Sequence, residues 1–181
     1  MRLSQIYQSV QQDLAKVESQ IRSVTEVDFP GLAELLGYIL TGGKGIRPVL
    51  TLLSGKFYHY NLDLLLPMAT AIELMHTATL VHDDAIDNSS VRRGRPTINR
   101  IWGEDKAVLL GDYLFAKAGE FAATTGNLRV ITLFAQTLQI ISSGELKQSF
   151  NAFNLEQTRD HYLDRISSKT ASLFSLSLIH I

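Results

Sequence analysis

Apolar residues recur at three- and four-residue steps along most of the chain, which is the spacing of amphipathic helices. The first such stripe begins at Leu3 and runs through Val10 and Val17 to Ile21. Glycine, proline and small polar residues interrupt the pattern at intervals and mark helix ends. The spacing predicts helices over residues 3–21, 32–40, 48–58, 67–87, 106–123, 128–151 and 155 to the end.

The segments between these predicted helices are short, apart from residues 88–105, which we predict to be irregular. Gly94 and Pro96 break that stretch, and Asn88 at its start favours a turn. Strand patterns are scarce. Long helices joined by short connections predict an all-α bundle. We see no linker or internal repeat, so we expect residues 1–181 to form a single domain.

Composition narrows the classes of function. The chain has 181 residues, 45% of them apolar, and a net charge of −1. This near-neutral balance gives no general attraction to nucleic acid, and the absence of cysteine excludes disulfides and thiolate metal sites. The N-terminus lacks the apolar core of a signal peptide, and no uncharged apolar run approaches the roughly 20 residues of a membrane helix. We expect a cytoplasmic protein with no transmembrane segment and no nucleic-acid partner.

Three carboxylates end the predicted helix 67–87, which is apolar on more than one side and is therefore expected to be central and buried. Asp83 and Asp87 are four residues apart, and Asp84 and Asp87 are three apart. On a helix these spacings place the acids on neighbouring positions of one face. Mg²⁺ suits such a cluster, because it takes oxygen ligands and combines one or two carboxylates with a substrate phosphate.

Basic residues follow the acids closely. Arg92 and Arg93 are adjacent in the irregular stretch and are suited to fork onto a phosphate. Lys44 and Arg47 precede and open another predicted helix, whose N-terminus also attracts anions. His76 lies about two turns before Asp83, nearly on the same helix face. Metal-binding acids beside phosphate-binding bases predict a diphosphate site.

These motifs resemble the trans-isoprenyl diphosphate synthases, also called polyprenyl synthetases, and among them the long-chain heptaprenyl and octaprenyl type. The match spans nearly the whole chain. It is carried by the stretches GGKGIRP (42–48), ELMHTATLVHDDAID (73–87), RRGRPT (92–97), GDYLFA (111–116), GELKQ (144–148) and KTASLF (169–174).

The resemblance implies an isoprenoid-synthase-type helical bundle that condenses an allylic diphosphate with isopentenyl diphosphate. Magnesium would be held by Asp83, Asp84 and Asp87 and, with Lys169, these acids would be the catalytic groups. Isopentenyl diphosphate would be bound by Lys44, Arg47, His76 and Arg93. The allylic diphosphate would be bound by Arg92, Lys169 and Thr170. Supporting positions would be Asp112, Glu145 and Gln148.

The resemblance also bears on the length of the product. In this family the residues four and five positions before the first aspartate line the floor of the pocket for the growing chain. Here they are Thr79 and Ala78, which are both small. We therefore expect a medium or long polyprenyl product, unless Met75, one turn deeper, closes the pocket.

Two departures from the family pattern matter. Gly45 stands where the family usually has a basic residue, and we expect a modest effect because Lys44 and Arg47 are retained. No second aspartate-rich motif follows Lys169, and the chain ends in the mostly apolar run LFSLSLIHI. We therefore expect a C-terminally truncated polyprenyl synthetase domain, with a bundle incomplete at that end and little activity in the 181-residue chain alone.

Three other functions remain open at this point. A non-catalytic or regulatory subunit of a heteromeric synthase has no need of all these charged residues, whereas a class I terpene cyclase would not need an isopentenyl diphosphate site. A phosphohydrolase would be expected to carry its aspartate after a strand. The apolar stripe of the first helix needs a partner surface, which a neighbouring subunit or a distant part of the same chain would supply. We also expect self-association, most simply as a homodimer.

Overall fold

The computed structural model describes residues 3–41 and 45–178, so Lys44 lies outside the described residues. It is helical almost throughout, in agreement with the predicted all-α fold. The helices are α1 (Leu3–Gln8), α2 (Gln11–Ser23), α3 (Pro30–Ile39), α4 (Ile46–Gly55), α5 (Leu62–Ile86), α6 (Ile98–Trp102), α7 (Glu104–Thr124), α8 (Leu128–Phe150), α9 (Arg159–Ile166) and α10 (Ser172–Ser177). A π-helical segment, Ser167–Ala171, joins α9 to α10.

Helix α5 is the centre of the fold, as its apolar pattern predicts. It packs most extensively against α7 and also against α4 and α2. Met68, Ile72, Met75 and Ala78 are almost completely buried in the larger core. A smaller core joins α2 and α4 to the first half of α5. Within the described residues α5 is also the helix long and apolar enough to cross a membrane, but 61% of its apolar window is buried in the fold.

Close contact between α5 and α7 depends on a glycine. A Cβ atom added at Gly111 would lie 2.2 Å from the Nε2 atom of His82. The His82 ring also contacts the Phe115 ring edge-on, with 5.3 Å between centroids. A larger residue at position 111 would therefore displace the His82 ring from its place between α5 and α7.

One predicted helix is interrupted and another begins earlier than predicted, in both cases for local hydrogen-bonding reasons. The predicted helix 3–21 is broken at Ser9, whose Oγ donates to the Ile6 carbonyl at 2.8 Å and competes with the helical pattern. Helix α5 begins at Leu62 and not at Pro67, because the Asn61 side chain caps it by accepting from the Asp63 N–H at 3.0 Å. Pro67 lies inside the helix.

The prediction for residues 88–105 is also wrong, because this stretch contains α6 and a small hairpin. Strands β1 (Val91–Arg92) and β2 (Arg95–Pro96) pair antiparallel, and the chain then enters α6. At the other end, the final helical region begins at Arg159 and not at Leu155. Thr158 fixes this start by accepting from the His161 N–H in a capping box.

Candidate active site

The hairpin between α5 and α6 carries the two adjacent arginines. Its two-residue turn consists of Arg93 and Gly94, which both have positive φ, at 52° and 77°. Such a turn matches the twist of paired strands, although an arginine adopts this backbone conformation at a cost. Arg92 and Arg95 stand directly opposite each other across the two strands. The hairpin therefore concentrates three positive charges at one edge of the bundle.

Arg92 is fixed by an acid of α5. Its Nε donates to Asp84 Oδ2 at 2.7 Å, and the hydrogen bond raises the pKa of Arg92 above its usual value. Asp84 is only 6% exposed, and its second oxygen, Oδ1, is buried without a hydrogen-bond partner. The pair ties the hairpin to the acidic end of α5 and commits Asp84 to Arg92.

A cavity of about 570 Å³ opens between this hairpin, the end of α3, the start of α4 and the middle of α5. Arg47, His76 and Arg93, which were predicted to bind one diphosphate, all line it. Arg92 and Arg95 line it as well. The fold thus brings Arg47 and Arg93, which are 46 positions apart in the sequence, to the same cavity. A multiply charged anion is the natural ligand of such a lining.

Burial controls the charges in this cavity. Desolvation lowers the pKa of His76 to about 3, and the nearby Arg47, Arg93 and Arg92 push in the same direction. His76 is therefore neutral at physiological pH and would offer a ring N–H to a ligand. Burial also lowers the pKa of Arg47, which still remains charged. The Arg47 guanidinium lies 4.5 Å above the Phe174 ring centroid, and its Nε is buried without a hydrogen-bond partner.

A second charged group lies at the C-terminal half of α5. Lys169 Nζ is 2.7 Å from Glu145 Oε1 and 3.3 Å from Asp83 Oδ2. Burial acts to lower the pKa of Lys169, but the hydrogen bond from Lys169 to Glu145 and the charge of Asp83 outweigh it and raise the pKa. Burial raises the pKa of Asp83, although Lys169 opposes the change. Lys169 is thus a charged bridge between α5 and α8.

Two features of the backbone place Lys169 there. It lies in the π-helical segment, and such local widenings of a helix often occur at functional sites. Gly144 on α8 faces this segment so closely that an added Cβ would lie 2.6 Å from Ser168 Cβ. The absence of a side chain at Gly144 lets α8 bring Glu145 within hydrogen-bonding distance of Lys169.

The family model for Polyprenyl synthetase matches residues 30–180. This chain belongs to the polyprenyl synthetase family. It is 40% identical to heptaprenyl diphosphate synthase component 2 of Geobacillus stearothermophilus over 178 residues, which are 98% of this chain and 56% of that protein. The chain spans about half the length of the curated relatives it matches.

Solved structures in the family share the fold. A decaprenyl diphosphate synthase from Rhodobacter capsulatus superposes with a TM-score of 0.91 at 40% identity, covering 97% of this chain and 55% of that one. A polyprenyl synthase from Caulobacter crescentus, complexed with calcium and isoprenyl diphosphate, has a TM-score of 0.89 at 34% identity and covers 98% and 54% of the two chains. The predicted family and its helical fold are therefore confirmed.

The acids at the end of α5 suit a hard cation, since Mg²⁺ is usually held by one or two carboxylates together with phosphate oxygens. Over residues 3–41 and 45–178, no three acidic or histidine side chains converge on one point. Asp84 is held by Arg92, whereas Asp83 and the exposed Asp87 lie one helical turn apart. These two carboxylates fit a metal that a diphosphate brings with it. The assignment of all three aspartates to Mg²⁺ stays a prediction.

The remaining predicted positions are spread more widely. Thr170 is exposed in the π-helical segment, and Gln148 lines a separate cavity of about 620 Å³ at the α8–α9 corner. Asp112 is exposed, with Oδ1 3.5 Å from His82 Nε2. Met75 and Ala78 are fully buried, whereas Thr79 is half-buried and donates to the His76 carbonyl at 2.7 Å. The roles predicted for these residues stay predictions.

The cavity of about 570 Å³ lined by Arg47, His76 and Arg93, here called the basic cavity, also contains residues that sequence reasoning missed. Arg95 and Tyr38 both line it, and Arg95 lies 4.2 Å above the Tyr38 ring centroid. The family motif RRGRPT contains Arg95, but only its first two arginines were assigned. The two-residue Arg93–Gly94 turn was the available signal, because a hairpin turn there would have placed Arg95 opposite Arg92. No sequence signal connects Tyr38 to this hairpin, 58 residues away from Pro96.

Proposed function

We propose that this chain supplies the diphosphate-binding helices of a trans-polyprenyl diphosphate synthase, a prenyltransferase that joins an allylic diphosphate to isopentenyl diphosphate. The single observation that carries the proposal is the pairing of two charged sites along α5. One is the cavity lined by Arg47, His76 and Arg93, and the other is the bridge of Lys169, Asp83 and Glu145. A reaction between two diphosphate esters needs two such sites side by side.

The proposed reaction begins when the C1–O bond of the allylic diphosphate breaks and its electron pair leaves with the diphosphate. The double bond of isopentenyl diphosphate then attacks the allylic cation, and a proton is lost to form the new double bond. Bound Mg²⁺ would neutralise the charge that develops on the leaving diphosphate. Lys169 and Arg92 add positive charge at the same place, in a partly buried setting where such charge stabilises strongly.

Arg47, His76 and Arg93 would hold isopentenyl diphosphate with its double bond towards the cation. Holding both reactants in this geometry removes much of the entropic barrier to their encounter. The chain-length assignment belongs to the same proposal. Small residues at Ala78 and Thr79 would suit the floor of a pocket for a product of medium or long chain, in keeping with the decaprenyl and heptaprenyl synthases that this chain resembles.

A direct test measures binding before turnover. Isopentenyl diphosphate is titrated calorimetrically into the native chain, into Arg47→Gln and into Arg129→Gln. Arg129 is an exposed arginine at the start of α8, outside the basic cavity, and serves as the matched control. The proposal expects a tenfold or greater loss of affinity in Arg47→Gln alone, since a hydrogen-bonded charge contributes about 1.5–3 kcal/mol. Equal affinity in all three proteins would contradict it.

Little turnover is expected of the 181-residue chain alone. Turnover is therefore tested in the assembled enzyme that contains this chain, with Mg²⁺, farnesyl diphosphate and labelled isopentenyl diphosphate. Product formation that disappears in Asp83→Ala and persists in Asp28→Asn, an exposed acid before α3, would support the catalytic role. A non-catalytic subunit is the alternative function, and a relative named as component 2 of a heptaprenyl synthase makes it specific. It predicts that Asp83→Ala leaves the activity of the assembled enzyme unchanged.

Self-association and location are further parts of the proposal. A homodimer or another oligomer is tested by light scattering of the purified chain over a range of concentrations. A single monomer mass at every concentration would contradict self-association. The cytoplasmic location stays a prediction that cell fractionation would test.

A further inference from the structure

The hairpin that carries Arg92 and Arg93 is too small to be stable by itself. Each of its strands has two residues, and isolated hairpins are marginal in water even when they are longer. Arg92 and Arg95 also face each other directly, and like charges at such positions destabilise a strand pair. The hairpin therefore needs stabilising contacts with the rest of the fold, and strand β2, which carries Arg95, needs them most. Arg92 has the Asp84 carboxylate, whereas no carboxylate of the described residues forms an ion pair with Arg95.

Tyr38, near the end of α3, supplies these contacts. Its hydroxyl donates to the Pro96 carbonyl at 2.7 Å, on β2. Its ring lies 4.2 Å beneath the Arg95 guanidinium, which stabilises the unpaired cation. The Trp102 ring packs edge-on against the Tyr38 ring, with 5.1 Å between centroids. Arg95 also reaches Thr41 at the end of α3, where Nη1 is 3.4 Å from Oγ1.

We infer that Tyr38 is a positioning residue for the isopentenyl diphosphate pocket. Through Pro96 and Arg95 it holds the hairpin against α3 and so keeps Arg93, at the tip of the turn, directed at the cavity. Tyr38 itself contributes no charge to the ligand. This inference rests on the function proposed above, because it assigns Tyr38 to the pocket that binds one of the two diphosphates.

The first arm of the test needs no ligand. Trypsin should cut after Arg92 or Arg93 faster when the hairpin opens, and it does not cut between Arg95 and Pro96. The native chain should be cut most slowly. Tyr38→Phe, which loses only the hydroxyl, should be cut faster, and Tyr38→Leu, which also loses the ring beneath Arg95, should be cut fastest. We expect Tyr38→Leu to be cut roughly fivefold to tenfold faster than native, from the combined hydrogen bond and cation–aromatic contact.

The second arm measures affinity for isopentenyl diphosphate by calorimetry. Tyr38→Leu and Arg95→Gln should each weaken binding roughly fivefold. The matched control is Arg165→Gln, which removes the same charge from a similar contact, 5.5 Å above the Tyr162 ring on α9 and outside the basic cavity. Tyr60→Phe, which loses a 2.8 Å hydroxyl bond to Asp13, controls for a hydroxyl lost elsewhere. Both controls should bind like the native chain.

A double-mutant cycle separates positioning from general destabilisation. If Tyr38 acts through the hairpin, adding Tyr38→Leu to Arg93→Gln should cause little further loss of affinity, because the group being positioned is already gone. Additive losses, or native cleavage and affinity in Tyr38→Leu, would overturn the inference. Failure of the proposed function looks different, because the native chain and Arg47→Gln would then bind isopentenyl diphosphate equally. That result would also remove the pocket that Tyr38 is inferred to serve.

Discussion

The contact between Gly144 and Ser168 gives the sharpest test of how the fold places Lys169. In Gly144→Ala the new Cβ would lie 2.6 Å from Ser168 Cβ, whereas nonbonded carbons prefer about 3.5–4.0 Å. Helix α8 and the π-helical segment must therefore separate by about 1 Å. The Lys169–Glu145 distance of 2.7 Å would lengthen accordingly, and the hydrogen bond would be weakened or lost.

The expected energy follows from two opposing effects. Alanine favours a helix over glycine by about 1 kcal/mol, whereas overpacking of this kind costs about 1–3 kcal/mol. Gly119 in α7 is the matched control, because an added Cβ there meets nothing within 4 Å. Gly119→Ala should therefore stabilise the chain by about 1 kcal/mol, and Gly144→Ala should be less stable than Gly119→Ala by about 1–3 kcal/mol.

Urea unfolding of the native chain and the two variants measures this difference. A third variant, Gly144→Ala with Ser168→Gly, removes the atom that the new methyl group meets. In the Ser168→Gly background, Gly144→Ala should destabilise the chain much less than it does in the native background, since residues in contact show coupled effects. The reasoning would be refuted if Gly144→Ala were as stable as Gly119→Ala, because the close approach of α8 would then not depend on glycine.

Three other predictions follow from the same charges and cavities. First, the pKa of His76 is lowered to about 3 in the folded chain, so the free energy of unfolding decreases as pH falls below the pKa of histidine in the unfolded chain, near 6.5. His76→Gln should remove about 2 kcal/mol of the decrease that urea unfolding measures between pH 7 and pH 5. An equal decrease in both proteins would contradict this. Second, Lys169→Met leaves Asp83 and Glu145, whose side chains are 16% and 19% exposed, without their cation. Its free energy of unfolding at pH 8 should be about 2 kcal/mol lower than that of the native chain, and the difference should be smaller at pH 5, because the pKa of Asp83 is raised and its protonated form is favoured as pH falls. A difference that is constant with pH would argue against the charge bridge. Third, in any assay that yields product, Ala78→Phe should shorten the prenyl chain seen by chromatography, and an unchanged length would exclude Ala78 from the pocket floor.

Helical periodicity predicted the all-α fold well because the long helices are amphipathic or, like α5, apolar on several sides. The buried position of α5 followed from apolar residues on several of its sides. Periodicity failed where one side chain decides the local structure. Ser9 ends α1 through its own hydrogen bond. Asn61 caps α5 so that the helix begins at Leu62, which makes Pro67 its sixth residue.

The charged site was only partly readable from the sequence. Helical spacing placed Asp83, Asp84 and Asp87 on neighbouring positions, but spacing does not reveal which partner each acid will find. Asp84 pairs with Arg92, and Asp83 pairs with Lys169, 86 residues later. These pairings depend on how the hairpin and the π-helical segment pack against α5, which is a matter of tertiary structure. The family resemblance supplied Lys169, since an isolated helix lysine carries no such signal.

The central claim is that Asp83 helps a diphosphate to hold Mg²⁺ beside Lys169. The most direct measurement is the shift in Tm caused by inorganic pyrophosphate, with and without Mg²⁺, in the native chain and in Asp83→Asn. Mg²⁺ should increase the pyrophosphate-dependent shift in the native chain, and this increase should be absent in Asp83→Asn. An increase of the same size in both proteins would show that Asp83 does not help to hold the metal.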